Sequence, residues 1–354
     1  MARIGTQFQA IFTSILSILF LSQMVTSASI QDWVHDELSQ QPSLNLVLPQ
    51  RPEHILTDCM HVTSEDGDFF FKSNGVEDSS AEVPVCGLYL ITEANMRVEL
   101  TIRHFDVPCE DGGLIAWIDG WELNGEIFPS PSDHPSAMRD RVAEMCGASG
   151  PSSSSSSAAA AAASSPLQSS LTGAPLTGRH WVGRTLRSSQ NAALLQYRVG
   201  GRGRGFGVSV RYVQNHSPCN ILVEGLAPSY TLRNHGKRGN CTLSAMYPSV
   251  VRVLSMQVGD DRGLETGTLH KCQKRGIDDF VEIGGTEGLD SVSLQSMPSI
   301  CGQDSRPGRE QAIFCGVSTV RLQSSGRYNN QITLTLRPAE EQDYSAMSAV
   351  VCGV

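Results

Sequence analysis

Ten cysteines constrain the fold of this 354-residue chain more than any other feature. None forms a Cys-x-x-Cys pair, and no two histidines lie beside them at metal-ligand spacing, so a zinc framework is poorly supported. Disulfide stapling is the expected role, and each bridge stabilises a fold by roughly 3–4 kcal/mol when it closes a loop of a few tens of residues. Spacing alone leaves the connectivity open, because ten cysteines allow about 945 pairings. The cysteines are Cys59, Cys86, Cys109, Cys146, Cys219, Cys241, Cys272, Cys301, Cys315 and Cys352.

The amino-terminal segment predicts the compartment in which the cysteines form disulfides. Arg3 precedes the apolar run AIFTSILSILFLSQMV, and small residues follow at 26–28. This pattern predicts a secretory signal peptide over residues 1–27. A membrane anchor is the alternative, but the run is interrupted by serines and no later stretch approaches the roughly 20 apolar residues that a span needs. We therefore expect a secreted, extracellular protein with no membrane span, in a compartment where disulfides form.

Charge narrows the choice of partners. The formal net charge is −9, and both nucleic acid and anionic membranes select basic surfaces. We therefore expect no nucleic-acid partner. Two sequons fit a secreted glycoprotein: Asn240-Cys241-Thr242 is well formed, whereas Asn215-His216-Ser217 is followed by Pro218, which lowers acceptance. Asn240 is the predicted glycosylation site.

Hydrophobic periodicity predicts an all-β protein. A short amphipathic helix is indicated only in the segment 28–48, where Ile30, Trp33, Val34 and Leu38 have helical spacing. Beyond it, apolar residues alternate with polar ones, as expected of half-buried strands, and Gly- and Asp-rich turns separate them. This pattern favours an antiparallel sandwich over a doubly wound sheet. The alternating positions include Val98, Leu100, Ile102, Val208, Val210, Tyr212, Val251, Val253, Ile332, Leu334 and Leu336.

Catalytic and phosphate-binding motifs give no support for an enzyme. The stretch GGRGRGFG at 200–207 matches neither phosphate-loop pattern and precedes a predicted strand, so a solvated hairpin turn is the favoured interpretation. The chain contains no G-x-S-x-G elbow and no H-E-x-x-H motif. We expect no enzymatic activity, no catalytic residues and no cofactor.

Several long motifs resemble one family, the corticotropin-releasing factor binding proteins. The similarity runs from about Cys59 to Leu336 and covers most of the chain. The motifs that carry it are DGWELNGEIFPS at 119–130 followed by Asp133-His134-Pro135, RSSQNAALLQYRV at 187–199 followed by Gly205-Phe206, Pro218-Cys219-Asn220, Gly239-Asn240-Cys241, DFVEIGGTEGLD at 279–290 and SSGRYNNQIT at 324–333.

This resemblance implies two CUB-like antiparallel β-sandwich domains stapled by disulfides between sequence neighbours. It also implies a glycan at Asn240 and the capture of corticotropin-releasing-factor-like peptide hormones outside the cell, which limits their access to receptors. No metal site is expected, because Gly113 stands where many CUB domains offer a calcium-binding aspartate and Asp279 is a lone carboxylate. The implied bridges are Cys59–Cys86, Cys109–Cys146, Cys219–Cys241, Cys272–Cys301 and Cys315–Cys352.

The run GPSSSSSSAAAAAASSP at 150–166 has the composition of a flexible linker. A sandwich that begins near Cys59 would nevertheless lack strands without residues 187–213. We therefore interpret 147–183 as a disordered insertion within a first domain at 49–216, followed by a second domain at 217–354 with a C-terminal tail.

Peptide contacts are expected near the first cysteine, which the resemblance makes part of the ligand surface. Ile55 and His61 stand where vertebrate members carry an arginine and an aspartate, so ligand specificity stays open. A general CUB adhesion or co-receptor module that binds a protein partner is the alternative function, and an unrecognised secreted enzyme is a third. The candidate contacts are Asp58, Met60 and His61, with Trp117 and Trp121 as possible aromatic anchors whose alternative role is core packing.

Overall fold

The computed structural model describes residues 51–75, 83–146, 178–225, 227–260, 264–345 and 348–353. The predicted signal peptide at 1–27, the segment at 28–48 and the serine and alanine run lie outside the described residues. Residues Arg51–Val354 form one compact unit. Strands dominate it, as expected, and the described helices are short.

Ten of the twelve strands described in the first part of the chain build two facing sheets of five strands each. One has the strand order β1-β3-β12-β5-β10 and the other β2-β4-β11-β6-β9, while β7 and β8 form a separate hairpin. The strands are β1 Glu53–Ile55, β2 Met60–Thr63, β3 Gly67–Lys72, β4 Cys86–Ile91, β5 Met96–Asp106, β6 Leu114–Ile118, β7 Trp121–Leu123, β8 Glu126–Phe128, β9 Val142–Cys146, β10 Thr185–Arg187, β11 Ala192–Arg198 and β12 Gly205–Gln214.

Strand β5 shows how the alternating pattern places the core. Val98, Leu100 and Ile102 are almost completely buried between the sheets. The intervening Glu99 and Thr101 are buried as well, which the half-buried pattern did not predict. The reason is β10, which pairs with β5 at the edge of the same sheet and places its side chains against these two: Arg187 forms a 2.5 Å ion pair with Glu99, and the Thr185 and Thr101 hydroxyls lie 2.8 Å apart.

The glycine-rich stretch at 200–207 is not a hairpin turn, so that prediction is wrong. β11 pairs with β4 and β6 in one sheet, whereas β12 pairs with β3 and β5 in the other. The connection therefore carries the chain from one layer of the sandwich to the other. Gly201 and Gly203 have φ angles of 81° and 82°, in the left-handed region that favours glycine.

The later strands form a second sandwich whose two layers are joined. The main path is β13-β15-β22-β18-β20-β16-β21-β24, and β20 pairs with strands of both layers. The strands are β13 Ile221–Leu222, β14 Tyr230–Arg233, β15 Gly239–Ala245, β16 Ser249–Val258, β17 Leu269–His270, β18 Phe280–Thr286, β19 Gln295–Ser296, β20 Ile300–Asp304, β21 Glu310–Phe314, β22 Val317–Ser324, β23 Gln331–Pro338 and β24 Ala349–Val351.

Both halves have the all-β sandwich architecture expected from the sequence. Most pairs are antiparallel, but β1 with β3, β2 with β4, β13 with β15 and β21 with β24 run parallel. Parallel neighbours require a crossover between them. In the first sandwich the chain supplies it by visiting the opposite sheet between the two strands of each parallel pair.

Helical segments are brief in the described chain. Its α-helix, α1, spans Met138–Arg141, and 3-10 turns span Cys109–Asp111, Gly178–Trp181, Cys272–Arg275, Ser291–Ser293 and Glu341–Ser345. None of the helices in the described ranges has the length and apolar character needed to cross a bilayer.

Four disulfides join sequence neighbours, as the family resemblance implied. The side chain of Cys146 lies outside the described residues, so the predicted Cys109–Cys146 bridge is not described. The four bridges are Cys59–Cys86, Cys219–Cys241, Cys272–Cys301 and Cys315–Cys352.

The carboxyl end of the expected insertion is part of the sandwich. Trp181 packs against the first core, the Arg184 guanidinium lies 5.2 Å from its ring centre, and the Gly183 amide donates to the Ile102 carbonyl at 2.8 Å. The expectation of disorder up to residue 183 is therefore wrong for residues 178–183. The division into domains at residue 216 stays a prediction.

Candidate functional site

One edge of the first sandwich exposes apolar side chains. β1 and β2 are the edge strands of the two sheets on this side, and the His61 and Phe69 rings meet edge to face between them, with centroids 6.2 Å apart. On the outer face of one sheet, Ile55 is 75% and Phe70 37% exposed. On the β2 side, Met60 and Val62 are each 58% exposed, and Val85, which precedes β4, is 49% exposed.

The first disulfide fixes this edge. Cys59 immediately precedes β2, Cys86 begins β4, and their Cα atoms lie 4.5 Å apart. The Gly87 amide donates to the Cys59 carbonyl at 2.7 Å. Strand β2 is therefore held in register by both a covalent bond and a backbone ladder.

The sequence-predicted contacts near the first cysteine divide into two groups. Asp58 and Met60 are exposed and lie on either side of Cys59 in the chain. His61 is half-buried and turns inward toward Phe69 because successive side chains of a strand point to opposite faces. Asp58 and Met60 are thus accessible to a ligand, whereas His61 supports the strand from within.

Negative charge surrounds the β2 edge. Residues 52–66 contain Glu53, Asp58, Glu65 and Asp66 but no lysine or arginine. The Tyr212 hydroxyl donates to the carbonyls of Thr63 and Glu65 at 3.5 and 3.3 Å. Burial raises the pKa of Tyr212, and the charges of Glu224, Asp66 and Glu65 raise it further. Carboxylates therefore gather at the end of β2.

A cleft of about 840 Å³ lies near this acidic end. The turn at 92–95 and residues between 214 and 235 line it, and its charged and titratable groups include Glu93, Glu224, Arg233, His216 and His235. Because its charges are mixed, the cleft does not by itself define a ligand.

Trp117 and Trp121 are not exposed anchors, and their core-packing role is the one that the structure shows. Trp117 is 3% exposed inside the first core, because it occupies an inward position of β6. Trp121 is 7% exposed, donates its indole N–H to the Leu90 carbonyl at 2.9 Å and meets the Tyr89 ring edge to face. A ligand cannot reach either ring without opening the fold.

The DGW and DHP motifs bring Asp119, His134 and Ser189 together. Nε2 of His134 lies 2.8 Å from the Ser189 hydroxyl and 3.4 Å from the Asp119 carboxylate. The Ser136 amide donates to Nδ1 of His134 at 2.9 Å, and Ser189 donates its backbone amide and its hydroxyl to Oδ1 of Asp119 at 2.8 and 3.1 Å. The three side chains therefore form one hydrogen-bonded network that ties the DGW, DHP and RSSQN motifs together.

Asp133 of the DHP motif joins the two sandwiches. Its side chain is 1% exposed, and Arg321 of β22 donates to Oδ1 at 2.9 Å from Nε and 2.7 Å from Nη2. The Ser291 hydroxyl donates to Oδ2 at 2.5 Å, and the Asn220 amide donates to the Asp133 carbonyl at 3.0 Å. These contacts satisfy a charge that would otherwise be costly to bury.

Asn191 of the RSSQN motif makes hydrogen bonds at the same junction between the two sandwiches. The Asn191 side chain donates to the carbonyls of Thr92 and Leu222 at 2.8 and 2.7 Å, and its oxygen accepts from the Leu222 amide at 2.9 Å. An apolar cluster surrounds it and draws on both sandwiches. Its buried members are Tyr89, Ile91, Ile118, Trp121, Ile127, Phe128, Ala192, Leu194, Leu222, Leu289 and Val317.

Both sequon asparagines are also tied to the junction. Nδ2 of Asn240 donates to the Ser132 carbonyl at 3.1 Å and to Asp133 Oδ1 at 2.9 Å. A glycan replaces one hydrogen of that nitrogen, so a glycosylated Asn240 keeps at most one of these bonds. Asn215 is 8% exposed, and its amide faces Ser189 and Gln190, which disfavours modification there. Glycosylation at Asn240 stays a prediction.

Asp279, which the sequence left as a poor metal ligand, is saturated by protein donors. It is 1% exposed and accepts from the amide and hydroxyl of Ser325 and from the Asn330 side chain, at 2.8, 2.6 and 2.7 Å. Within the described residues, no cluster of three or more His, Cys, Asp or Glu side chains has the arrangement of a metal site.

Known proteins match this chain over most of its length. Family models described as the N-terminal and C-terminal domains of corticotropin-releasing factor binding protein match residues 53–165 and 221–345. Proteins named corticotropin-releasing factor-binding protein from Homo sapiens and Rattus norvegicus are 27% and 28% identical, and each alignment covers 82% of this chain and 78% of the relative. A solved structure titled CUB1-EGF-CUB2 domains of rat MASP-1 aligns with a TM-score of 0.24 at 10% identity, over 78% of this chain and 99% of that one.

The described residues form disulfide-stapled β-sandwiches, the first of which has an exposed apolar and acidic edge. Both halves match models of a single binding-protein family. The chain belongs to the corticotropin-releasing factor binding protein family.

Proposed function

We propose that this protein is secreted and sequesters corticotropin-releasing-factor-like, diuretic-hormone-like peptides, which limits their access to receptors. Family membership supports a peptide of this class as the partner. The four disulfides support passage through an oxidising compartment. Sequestration needs no chemical step, because its effect on signalling follows from mass action on free hormone.

The observation that carries the proposal is the exposed apolar pair on β2. Met60 and Val62 are each 58% exposed on a strand that a disulfide holds rigid. Completing the burial of one such side chain in a complex contributes on the order of 1 kcal/mol. A rigid surface also binds with a smaller loss of conformational entropy than a mobile one.

The test is a calorimetric titration of the secreted protein with synthetic corticotropin-releasing factor. We expect a saturable binding isotherm, and we expect Val62→Ser to weaken it by about five- to tenfold because apolar burial is lost. Val351→Ser is the matched control, since Val351 is also an exposed valine in a short parallel edge strand, but of the second sandwich.

Two results would contradict the proposal. The first is the absence of saturable heat at micromolar peptide, which would favour a CUB-type adhesion or co-receptor module that binds a protein partner. The second is an equal loss of affinity in Val62→Ser and Val351→Ser, which would place the peptide elsewhere.

A further inference from the structure

Strand β2 has an unpaired edge in the described structure. It pairs with β4 on one side and is the last strand of its sheet. Met60 lies opposite Gly87, and the Gly87 amide donates to the carbonyl of the preceding Cys59. In such a parallel ladder the bonded groups belong to the residues on either side of Met60, so its own N–H and C=O point away from β4. Val62, two residues on and opposite Tyr89, has the same orientation.

The same two residues present their side chains to solvent. Met60 and Val62 lie on one face because side chains alternate along a strand, whereas His61 between them faces Phe69. Backbone hydrogen-bonding groups and exposed apolar side chains therefore recur together at every second residue. That combination fits an added strand, since main-chain bonds supply affinity and alternate side chains supply specificity.

Charge indicates which kind of segment fits. Asp58 precedes the pair, and Glu65 and Asp66 follow it, so exposed carboxylates flank both ends of β2 with no lysine or arginine between residues 52 and 66. An occupant with basic side chains on either side of two or three alternating apolar residues complements this pattern.

We propose that the bound peptide hormone pairs an extended segment with the open edge of β2, with basic residues placed against Asp58 at one end and Glu65 and Asp66 at the other. This inference rests on the proposed function and specifies its mode: strand addition, in place of a helix laid in an apolar groove. The rest of the peptide is free to adopt another conformation.

Amide hydrogen exchange of the full protein, followed at single residues by NMR with and without synthetic corticotropin-releasing factor, tests the mode. The amides of Met60 and Val62 point outward, and we expect each to exchange at least tenfold more slowly in the complex. The amides of Glu53 and Ile55 are the internal control, because β1 is the corresponding open edge of the other sheet.

A pair of variants separates the backbone from the side chain. Val62→Pro replaces the valine side chain with the proline ring and removes the outward N–H. No bond to β4 is lost, and proline is tolerated at such edge positions. Val62→Ala shortens the side chain and keeps the N–H. We expect Val62→Pro to weaken binding by about three- to tenfold more than Val62→Ala, the effect of one backbone hydrogen bond.

The outcomes distinguish this mode from the function itself. Saturable binding with unchanged exchange at Met60 and Val62, or with protection at Glu53 and Ile55 instead, overturns strand addition at β2 and leaves peptide binding intact. Absence of saturable binding overturns both proposals. If Val62→Pro is misfolded by circular dichroism, the exchange measurement on the unmodified protein still decides.

Discussion

Residues of the long motifs make contacts at the junction between the two sandwiches more than at the exposed edge of β2. Asp133 accepts hydrogen bonds from Arg321, Asn240 and Ser291 while its carboxylate is almost fully buried. These residues come from distant parts of the chain, so no sequence spacing links them. The motifs identified the family, but their physical role became visible only in three dimensions.

Replacing Asp133 is expected to destabilise the fold strongly. Asp133→Asn leaves the Arg321 guanidinium, whose side chain is 13% exposed, with Glu282 at 3.8 Å as its remaining carboxylate partner. Weakening the charge-assisted hydrogen bonds from Arg321 to Asp133 costs about 2 kcal/mol of unfolding free energy. Chemical denaturation monitored by tryptophan fluorescence measures it, and Asp278→Asn, in an exposed pair with Arg327, is the control expected to change little.

The raised pKa of Tyr197 predicts how the free energy of unfolding changes at alkaline pH. Burial, and secondarily the charge of Asp58, raises its pKa from 10.0 to about 12. A group whose pKa is higher in the folded state stabilises the fold below its unfolded pKa, and this contribution is lost as pH rises from about 10 to 12. We expect a smaller fall in unfolding free energy over that window in Tyr197→Phe than in the unmodified protein.

Tyr197→Phe has a second expected effect at neutral pH. The Tyr197 hydroxyl is buried and has no hydrogen-bond partner among the described residues. Removing it leaves no partner unpaired, so stability should be unchanged or higher by up to about 1 kcal/mol. A clear loss of stability at pH 7 would contradict this account of the hydroxyl.

At the scale of elements, the sequence predicted strands well and their partners poorly. Alternation placed Val98, Leu100 and Ile102 in a core-facing strand because apolar burial follows the period of a strand. Alternation gives no information about which sheet receives the strand after a turn, so the hairpin prediction for residues 200–207 is wrong. The burial of Trp117 and Trp121 likewise depends on layers that cover them from distant parts of the chain.

The β7–β8 hairpin has a local signal that the sequence interpretation did not use. Asn124 and Gly125 have φ angles of 54° and 83°, as the Asn-Gly dipeptide favours in a two-residue hairpin. Gly125→Ala is expected to cost about 1 kcal/mol because alanine is disfavoured at that φ. Thermal denaturation measures the effect, and Gly200→Ala is matched: neither site has an atom within 4 Å of the added Cβ, and φ at Gly200 lies outside the left-handed region. Equal costs at both sites would contradict this.

At the scale of the whole molecule, the junction contacts argue for coupled unfolding of the two sandwiches. Leu222, Leu289 and Val317 of the second sandwich are buried in one apolar cluster with Tyr89 and Trp121 of the first. Opening the junction would expose this cluster and leave Asp133 and Arg321 without each other. The partition into domains at residue 216 stays a prediction, and the cooperativity of unfolding depends on the contacts that the two groups of strands share.

Differential scanning calorimetry tests this coupling. We expect one main transition for the unmodified protein, because neither sandwich loses its structure without exposing the shared cluster. Leu289→Ala removes about 2–4 kcal/mol of burial from the cluster and should broaden or split the transition. Leu243→Ala truncates another buried leucine, which belongs to the second core alone, so it should lower the transition temperature without splitting the transition. Two separate transitions in the unmodified protein would show that the junction contacts are too weak to couple the sandwiches.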